Sequence, residues 1–293
     1  MRLALLHSRI RVEERLLLEE LTRRDIDHDV IDLREQTFDI HDPGKWTQYD
    51  AVLDRCISQT HALAATRVLE RFGVLTVNPA ATIEACGDKL TTSLLLARDN
   101  VPTPRVRVAL DEASALSAIE QIGYPCVLKP TTGSWGRLLA RVNDRDAAEA
   151  IIEHKATLGS VAHSVYYVQE YVDKPQRDLR VFVVGTQAIC GITRASSHWI
   201  TNTARGGQAA ALTITPEITD LSARAARCVA GENGGLLAID LLECPRRGLL
   251  VSEINHTMEF RNSIEPTGVN IPGRMVDWVV AQAASRTLAE VAG

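Results

Sequence analysis

Residues 236–255 read LLAIDLLECPRRGLLVSEIN and decide the class of fold that this chain can adopt. Two apolar runs of the kind that forms buried strands are joined by a short polar segment. Asp240 lies in the first run, and Glu253 and Asn255 lie in the second. Because side chains alternate along a strand, Glu253 and Asn255 face one side while Ile254 faces the core. Two adjacent strands can therefore direct three oxygen donors to one point.

Oxygen donors in this arrangement predict a site for a hard cation. One or two carboxylates, completed by substrate phosphates, are the usual protein ligands of Mg²⁺. The alternative is that Asp240, Glu253 and Asn255 are solvent-exposed strand residues, since acidic side chains are common on half-exposed strands. The pattern favours a magnesium site.

The rest of the chain predicts an α/β protein with α+β lobes. Apolar strands and amphipathic helices alternate over about 80 residues at the start, which is typical of an open α/β sheet. We expect an N-terminal domain at residues 1–84. A strand, a glycine-containing loop, a second strand and a helix predict a lid domain at residues 85–168, and a final α+β domain should occupy residues 169–293.

Composition narrows the classes of function. The chain has 293 residues, 45% hydrophobic and 24% charged, which is ordinary for a globular protein. A net charge of −5 without a basic tract gives no general case for nucleic-acid or membrane binding. The six cysteines are widely spaced and predict reduced thiols. The N-terminus lacks a secretory pattern, so we expect a cytoplasmic protein.

A lysine next to a glycine-containing loop is the second local signal. Lys129 ends the apolar run VLKP, and TTGSWGR follows at residues 131–137. Glycines let backbone N–H groups approach phosphate oxygens, and the lysine supplies a point charge for the same group. The loop matches neither the Walker lysine loop nor the dinucleotide-binding fingerprint, so a plain β-hairpin is the alternative.

Two polar segments beyond this loop predict further contacts with a ligand. The strand end YVQEYV at residues 167–172 is suited to a linker whose backbone meets an adenine, with Asp178 near the ribose; an edge strand is the alternative. Arg194 and the loop HWITNTARGGQ at residues 198–208 supply guanidinium groups. These groups bind carboxylate and phosphate and stabilise developing charge, although a solvated loop is also compatible.

The order of these motifs resembles the ATP-grasp superfamily, and in particular its RimK-type branch. The motifs that show the resemblance are CGDK with Lys89, VLKP, GSWGR, QEYV, DLRVFVVG, NTARGG, AIDLLE and SEIN. Within the branch, the chain is similar to the amino-group-carrier ligases of lysine and arginine biosynthesis, through DRCIS, IEACGDK, HWITNTARGG and NHTMEF. The resemblance implies an ATP-grasp fold, in which an N-terminal open α/β domain precedes two α+β lobes that enclose ATP.

The resemblance also implies residue roles in an ATP-dependent ligase that works through an acyl phosphate. Two magnesium ions would be held by Asp240, Glu253 and Asn255. Arg194 and Arg205 would be catalytic, and the amino acid would contact Arg194, Asn202, Asn262 and Ser263. The implied ATP-binding residues are Lys89, Lys129, Gly133, Ser134, Trp135, Gly136, Arg137, Gln169, Glu170, Tyr171, Val172, Asp178 and Arg180.

The implied partner is a small acidic carrier protein, LysW, whose C-terminal glutamate would be joined to L-2-aminoadipate. Asn262-Ser263 indicates aminoadipate, because the arginine-pathway counterpart has Gly-Phe there and uses glutamate. Glutamate ligation to a carrier or to a ribosomal protein tail is the alternative, as is a non-catalytic nucleotide-binding module. The resemblance also implies a homo-oligomer, either a dimer or a tetramer. Candidates for a basic docking surface are Arg9, Arg11, Arg15, Arg137 and Arg141.

Overall fold

Three β-sheets organise the protein in the computed structural model, which describes residues 1–133, 138–159, 164–201 and 208–292. Side chains are described as far as residue 286. One sheet lies in each of the N-terminal, lid and C-terminal parts of the chain. None of the helices in these described ranges combines the length and apolar character that a membrane crossing requires.

The N-terminal sheet is parallel and has the strand order β2-β1-β3-β4. Its strands alternate with helices, so the predicted open α/β arrangement is confirmed. Apolar side chains fill both faces of β1, because helices cover the sheet on each side. The elements are β1 Arg2–His7, α1 Val12–Arg23, β2 Asp27–Asp32, β3 Ala51–Asp54, α2 Gln59–Arg71, β4 Thr76–Val77 and α3 Ala80–Gly87.

The lid sheet is antiparallel, with the order β5-β8-β6-β7. The two helices that pack against it begin at aspartate caps: Asp111 accepts from the Ser114 backbone N–H, and Asp144 from that of Ala147. The predicted strand-loop-strand-helix unit is present, and β5 and α5 are additional to it. The elements are α4 Lys89–Arg98, β5 Val106–Ala109, α5 Glu112–Ile122, β6 Cys126–Lys129, β7 Ala140–Val142, α6 Arg145–Leu158 and β8 Tyr166–Glu170.

The C-terminal sheet is also antiparallel and has the order β11-β10-β9-β12-β13. The helix behind it starts at Thr215, whose hydroxyl caps the Ile218 backbone N–H, and has proline at its first position. The elements are β9 Arg177–Gly185, β10 Gln187–Ala195, β11 Gln208–Ala211, α7 Pro216–Ala230, β12 Gly235–Cys244, β13 Gly248–Asn255, α8 Ile264–Thr267 and α9 Ile271–Ala292.

One apolar core joins the first and last parts of the chain. It contains Leu17 of α1 and Leu5 of β1 together with Phe182 of β9 and Met275 of α9. The lid has a separate core between its sheet and α5 and α6. The predicted domain boundary after residue 84 falls inside α3, and the boundary after residue 168 falls inside β8. All six cysteines are free thiols, five of them buried, as the sequence predicted.

Candidate active site

Asp240, Glu253 and Asn255 line one cavity of about 430 Å³ at the C-terminal sheet. Antiparallel pairing of β12 with β13 puts Asp240 directly opposite Glu253, and Asn255 lies two residues further along the same face. Ile239 and Ile254 point to the other side and belong to the core. The register thus brings together the three oxygen donors that the sequence predicted to converge.

Arginines from β9, which pairs with β12, and from β10, the strand beyond it, neutralise Asp240. Arg180, opposite Asp240 on β9, donates from Nε and from its terminal nitrogen to the two carboxylate oxygens, each at 2.8 Å. A terminal nitrogen of Arg194 on β10 lies 3.1 Å from Asp240. Burial opposes the ionisation of Asp240, but the two arginines outweigh it and lower its pKa to about 2. The carboxylate is therefore ionised at neutral pH.

Asp178 is a second carboxylate that binds Arg194. It accepts 2.6 Å and 2.5 Å hydrogen bonds from Arg194 Nε and the Thr201 hydroxyl. Lys174 lies 3.7 Å away. Asp178 was predicted to lie near a ribose, but the contacts it makes in the protein also fix the position of Arg194.

Two lysines come from the lid side of the cleft. Lys89, at the first position of α4, donates to the Gly133 carbonyl at 2.9 Å and lies 3.3 Å from the Glu253 carboxylate. Gly133 has a φ of 68°, a conformation that favours glycine. Lys129, at the end of β6, donates to Gln169 Oε1 at 2.9 Å. Burial lowers the pKa of Lys129 to about 8, with Lys89 adding to the effect and Glu253 opposing it.

A second cavity of about 110 Å³ adjoins the first and shares Lys89, Arg194, Asp240 and Glu253 with it. Its apolar wall suits a flat aromatic ring. The predicted linker residues lie in this wall, and Lys129 and Asp178 add charge. The wall residues that provide the linker and apolar surface are Val127, Leu139, Gln169, Glu170, Tyr171, Val172, Trp199, Ile200 and Leu242.

Arginines from several elements contact the linker residues Glu170 and Tyr171. The Glu170 carboxylate accepts from the Arg105 backbone N–H at 2.8 Å and from Arg105 Nε at 2.9 Å, and it also contacts Arg247 of the β12–β13 turn. The Arg141 guanidinium of β7 lies 4.2 Å above the Tyr171 ring. The Glu170 side chain is thus held by arginines, and its backbone N–H donates to the Arg105 carbonyl at 2.9 Å.

Some predicted residues are not placed in the cleft. Ser134, Trp135, Gly136, Arg137, Asn202 and Arg205 lie outside the described residues. Asn262 is exposed and Ser263 is buried just before α8, where the Ser263 carbonyl accepts from the Thr267 hydroxyl. In the described part of the chain, neither residue belongs to the walls of the two cavities.

The N-terminal domain closes the larger cavity with residues that sequence reasoning assigned no role there. Arg11, predicted as a candidate for the docking surface, lines the cavity and pairs with both Glu14 and Glu259. The NHTMEF motif was the available signal, because it contains Glu259. The other wall residues from this side are Cys56, Ile57, Gln59, Thr60, Cys86 and Gly87.

The donor set of the larger cavity fits a magnesium ion. The Asn255 side-chain nitrogen is buried and has no hydrogen-bond partner among the described residues, so its amide is not committed to another group. Within the same residues, no group of three or more His, Cys, Asp or Glu side chains could hold a metal ion by itself. Two carboxylates and an amide are a partial set, of the kind that Mg²⁺ completes with substrate phosphates and water.

Comparison with known proteins decides the family. A model of the LysX preATP-grasp domain matches residues 3–85, and a model of the RimK-like ATP-grasp domain matches residues 86–279. The chain belongs to the RimK-like ATP-grasp family. It is therefore an ATP-grasp ligase, a class that uses ATP and Mg²⁺, and the resemblance read from the motifs is confirmed.

Individual relatives of this ATP-grasp ligase agree with that assignment. The α-aminoadipate–LysW ligase LysX of Sulfolobus acidocaldarius is 37% identical over 229 residues, which are 78% of this chain and 82% of the relative. The glutamate–LysW ligase ArgX of Sulfurisphaera tokodaii is 32% identical over 281 residues, which are 95% of this chain and 98% of the relative.

Solved structures confirm the ATP-grasp fold. A RimK domain ATP-grasp protein from Sphaerobacter thermophilus has a TM-score of 0.79 at 29% identity, over 95% of this chain and 99% of that one. The D-alanine–D-alanine ligase of Bacillus anthracis complexed with ATP has a TM-score of 0.70 at 14% identity, over 99% of each chain, and shows the likeness of fold alone.

Proposed function

We propose that this protein joins the α-amino group of L-2-aminoadipate to the C-terminal glutamate carboxylate of a small acidic LysW-type carrier, in lysine biosynthesis. The observation that carries the proposal is the shared cavity wall, where Asp240, Glu253 and Asn255 face the same space as Lys89 and three arginines. Relatives named as LysW ligases, matched over most of this chain, support the choice of partner.

The cleft divides into a phosphate region and an adenine region in this proposal. Lys89 and Lys129 would bind the phosphates, while the linker at residues 169–172 and the Trp199 wall would take the adenine. Asp240, Glu253 and Asn255 would hold Mg²⁺, which supplies a positive charge against the transferring phosphoryl group. Gly133 and the loop after it would exclude water, which otherwise hydrolyses an acyl phosphate.

The reaction would proceed in two steps within the larger cavity. The carrier's terminal carboxylate attacks the γ-phosphorus of ATP and forms an acyl phosphate. The amine then adds to the acyl carbon and displaces phosphate. Arg194 is held by Asp178 on one side and Asp240 on the other, so its guanidinium is fixed in orientation before the charge develops. Arg205 is proposed to assist it.

Glutamate is a second candidate for the amino acid. The glutamate–LysW ligase of S. tokodaii matches 95% of this chain, a larger share than the 78% matched by the S. acidocaldarius aminoadipate ligase. The two amino acids differ by one methylene, and a pocket discriminates a methylene by about 1–3 kcal/mol. The sequence Asn262-Ser263 supports aminoadipate.

Side-by-side turnover tests the proposal. The purified protein would be incubated with ATP, Mg²⁺, a carrier ending in glutamate and either amino acid, and the carrier's mass and the phosphate released would be measured. We expect the aminoadipate adduct to form about 10- to 200-fold faster than the glutamate adduct. A carrier truncated by its last residue is the control and should not react. Preference for glutamate would refute the assigned amino acid, and absence of both adduct and phosphate would refute the ligase reaction.

A further inference from the structure

Glu259 is a third carboxylate in the wall of the larger cavity. It lies four residues after Asn255, beyond the end of β13, and its side chain remains 39% exposed. Its Oε1 accepts a 3.1 Å hydrogen bond from Arg11. Among the described residues, no donor contacts Oε2. One oxygen is therefore anchored, while the other is available to a ligand in the cavity.

Arg11 is itself held rigidly, so the position of Glu259 is defined. Arg11 Nε and one terminal nitrogen donate to the two oxygens of Glu14 at 2.9 Å and 2.8 Å. Arg55 also donates to Glu14, at 3.0 Å. Both oxygens of Glu14 thus accept hydrogen bonds from arginines, whereas Glu259 accepts one only from the remaining terminal nitrogen of Arg11.

The electrostatic balance distinguishes Glu259 from the other carboxylates of the cavity. Asp240 is neutralised by two arginines, and Glu253 lies beside Lys89. Burial raises the pKa of Glu259 in spite of Arg11, Arg180 and Arg55, and Glu13 adds to this effect. Glu259 is therefore a better proton acceptor than an ordinary glutamate.

The proposed reaction requires such a group. An amino acid enters as an ammonium ion, which cannot attack a carbonyl carbon until it loses a proton. Lys89, Arg180 and Arg194 repel that ammonium from the phosphate region of the cavity. Of the carboxylates in the described cavity wall, Asp240 and Glu253 are assigned to magnesium, which leaves Glu259.

We propose that Glu259 is a catalytic residue that binds the ammonium group of the incoming amino acid and accepts its proton; this inference rests on the proposed function. The freed amine forms a C–N bond with the acyl carbon while the C–O bond to phosphate breaks. The phosphate departs with the bonding electron pair, and the second proton lost from the nitrogen leaves with it as hydrogen phosphate. Glu259 returns the first proton to solvent.

Hydroxylamine separates this step from acyl phosphate formation. It is uncharged at neutral pH and traps an acyl phosphate as a hydroxamate without first losing a proton. We expect Glu259→Gln to lower amide formation with the amino acid about 100-fold or more, while hydroxamate formation from ATP and carrier changes by less than about threefold. The KM for the amino acid should rise and the KM for ATP should not. Glu259→Asp, which keeps the carboxylate, should regain part of the amide formation.

Glu265→Gln is a matched control, because Glu265 is an exposed glutamate on α8 outside the cavity wall. It should leave both products unchanged. A parallel loss of hydroxamate and amide in Glu259→Gln would overturn the inference, since it would show a structural role. Full amide formation in that variant would also overturn it. If the unmodified protein formed no hydroxamate, the proposed function would fail first, and the two failures would be told apart.

Discussion

The carboxylate of Asp240 and the guanidinium of Arg180 meet across adjacent strands through two parallel hydrogen bonds of 2.8 Å. Arg194 adds a third contact from the next strand. Buried charges are costly unless they are paired and hydrogen-bonded, so this pairing keeps a carboxylate stably ionised inside the sheet. The proposed cation site is thereby organised by strand register before any ligand enters.

Removal of Glu253 tests the cation site directly. Glu253→Ala should reduce phosphate release about 100-fold or more, because metal stabilisation of the transferring charge contributes several kcal/mol. The fold should persist, since the Glu253 side chain is partly exposed and its ion pair is the 3.3 Å contact with Lys89. Phosphate release and the thermal unfolding midpoint measure the two effects. Glu149→Ala, on the exposed face of α6, is the control. Turnover at the unmodified rate would exclude Glu253 from the metal site.

The pH dependence of kcat/KM for ATP should follow the protonation of Lys129. Its depressed pKa of about 8 means that the free protein holds a charged Lys129 below that pH and loses the charge above it. We therefore expect kcat/KM for ATP to be level up to about pH 8 and to fall at higher pH. Lys129→Arg should move the fall to higher pH, because guanidinium does not lose its proton in this range. A profile identical in the two proteins would contradict the assignment.

The buried pair of Arg55 and Glu14 should be a major contributor to stability. The side chains are 2% and 0% exposed, and Arg55 also donates to the Met258 carbonyl at 2.9 Å. Arg55→Ala should lower the free energy of unfolding by about 3–5 kcal/mol, because it leaves a buried carboxylate short of a partner. Chemical denaturation measures the loss.

A surface ion pair provides the comparison for that variant. Arg67 and Glu84 lie 2.9 Å apart but are both more than half exposed. Arg67→Ala should therefore change the free energy of unfolding by less than about 1 kcal/mol. Equal losses in the two variants would show that burial does not set the contribution of the Arg55 pair.

The stacking of Arg141 on Tyr171 should strengthen closure of the lid over the nucleotide. Arg141→Ala removes a cation–π contact worth about 0.5–1 kcal/mol, so the KM for ATP should rise about two- to fivefold. Turnover at saturating ATP should stay the same. Arg107→Ala, which alters an exposed arginine on β5, is the control. An unchanged KM would show that the contact does not contribute to closure.

Local sequence patterns predicted much of the fold and part of the candidate site. The strands that bear Asp240 and Glu253 were predictable because apolar alternation is a local property, and their register then aligns the two carboxylates. Arg55 was not predictable as a buried cation, since its partner Glu14 lies 41 residues away in the chain. The role of Arg11 in the cavity was missed for the same reason: only the tertiary fold brings it to Glu259, 248 residues later.

The last helix has a consequence for how the molecule can be divided. Met275 and Val279 of α9 lie in the same apolar core as Leu3 and Leu21 near the start of the chain. A protein truncated before this helix would lose side chains from a core that two domains use jointly. The excised lid, by contrast, would keep its own apolar interior. The polypeptide is therefore better described as two units than as three successive domains. One unit is the lid, which is inserted in the chain, and the other is built from the segments before and after it.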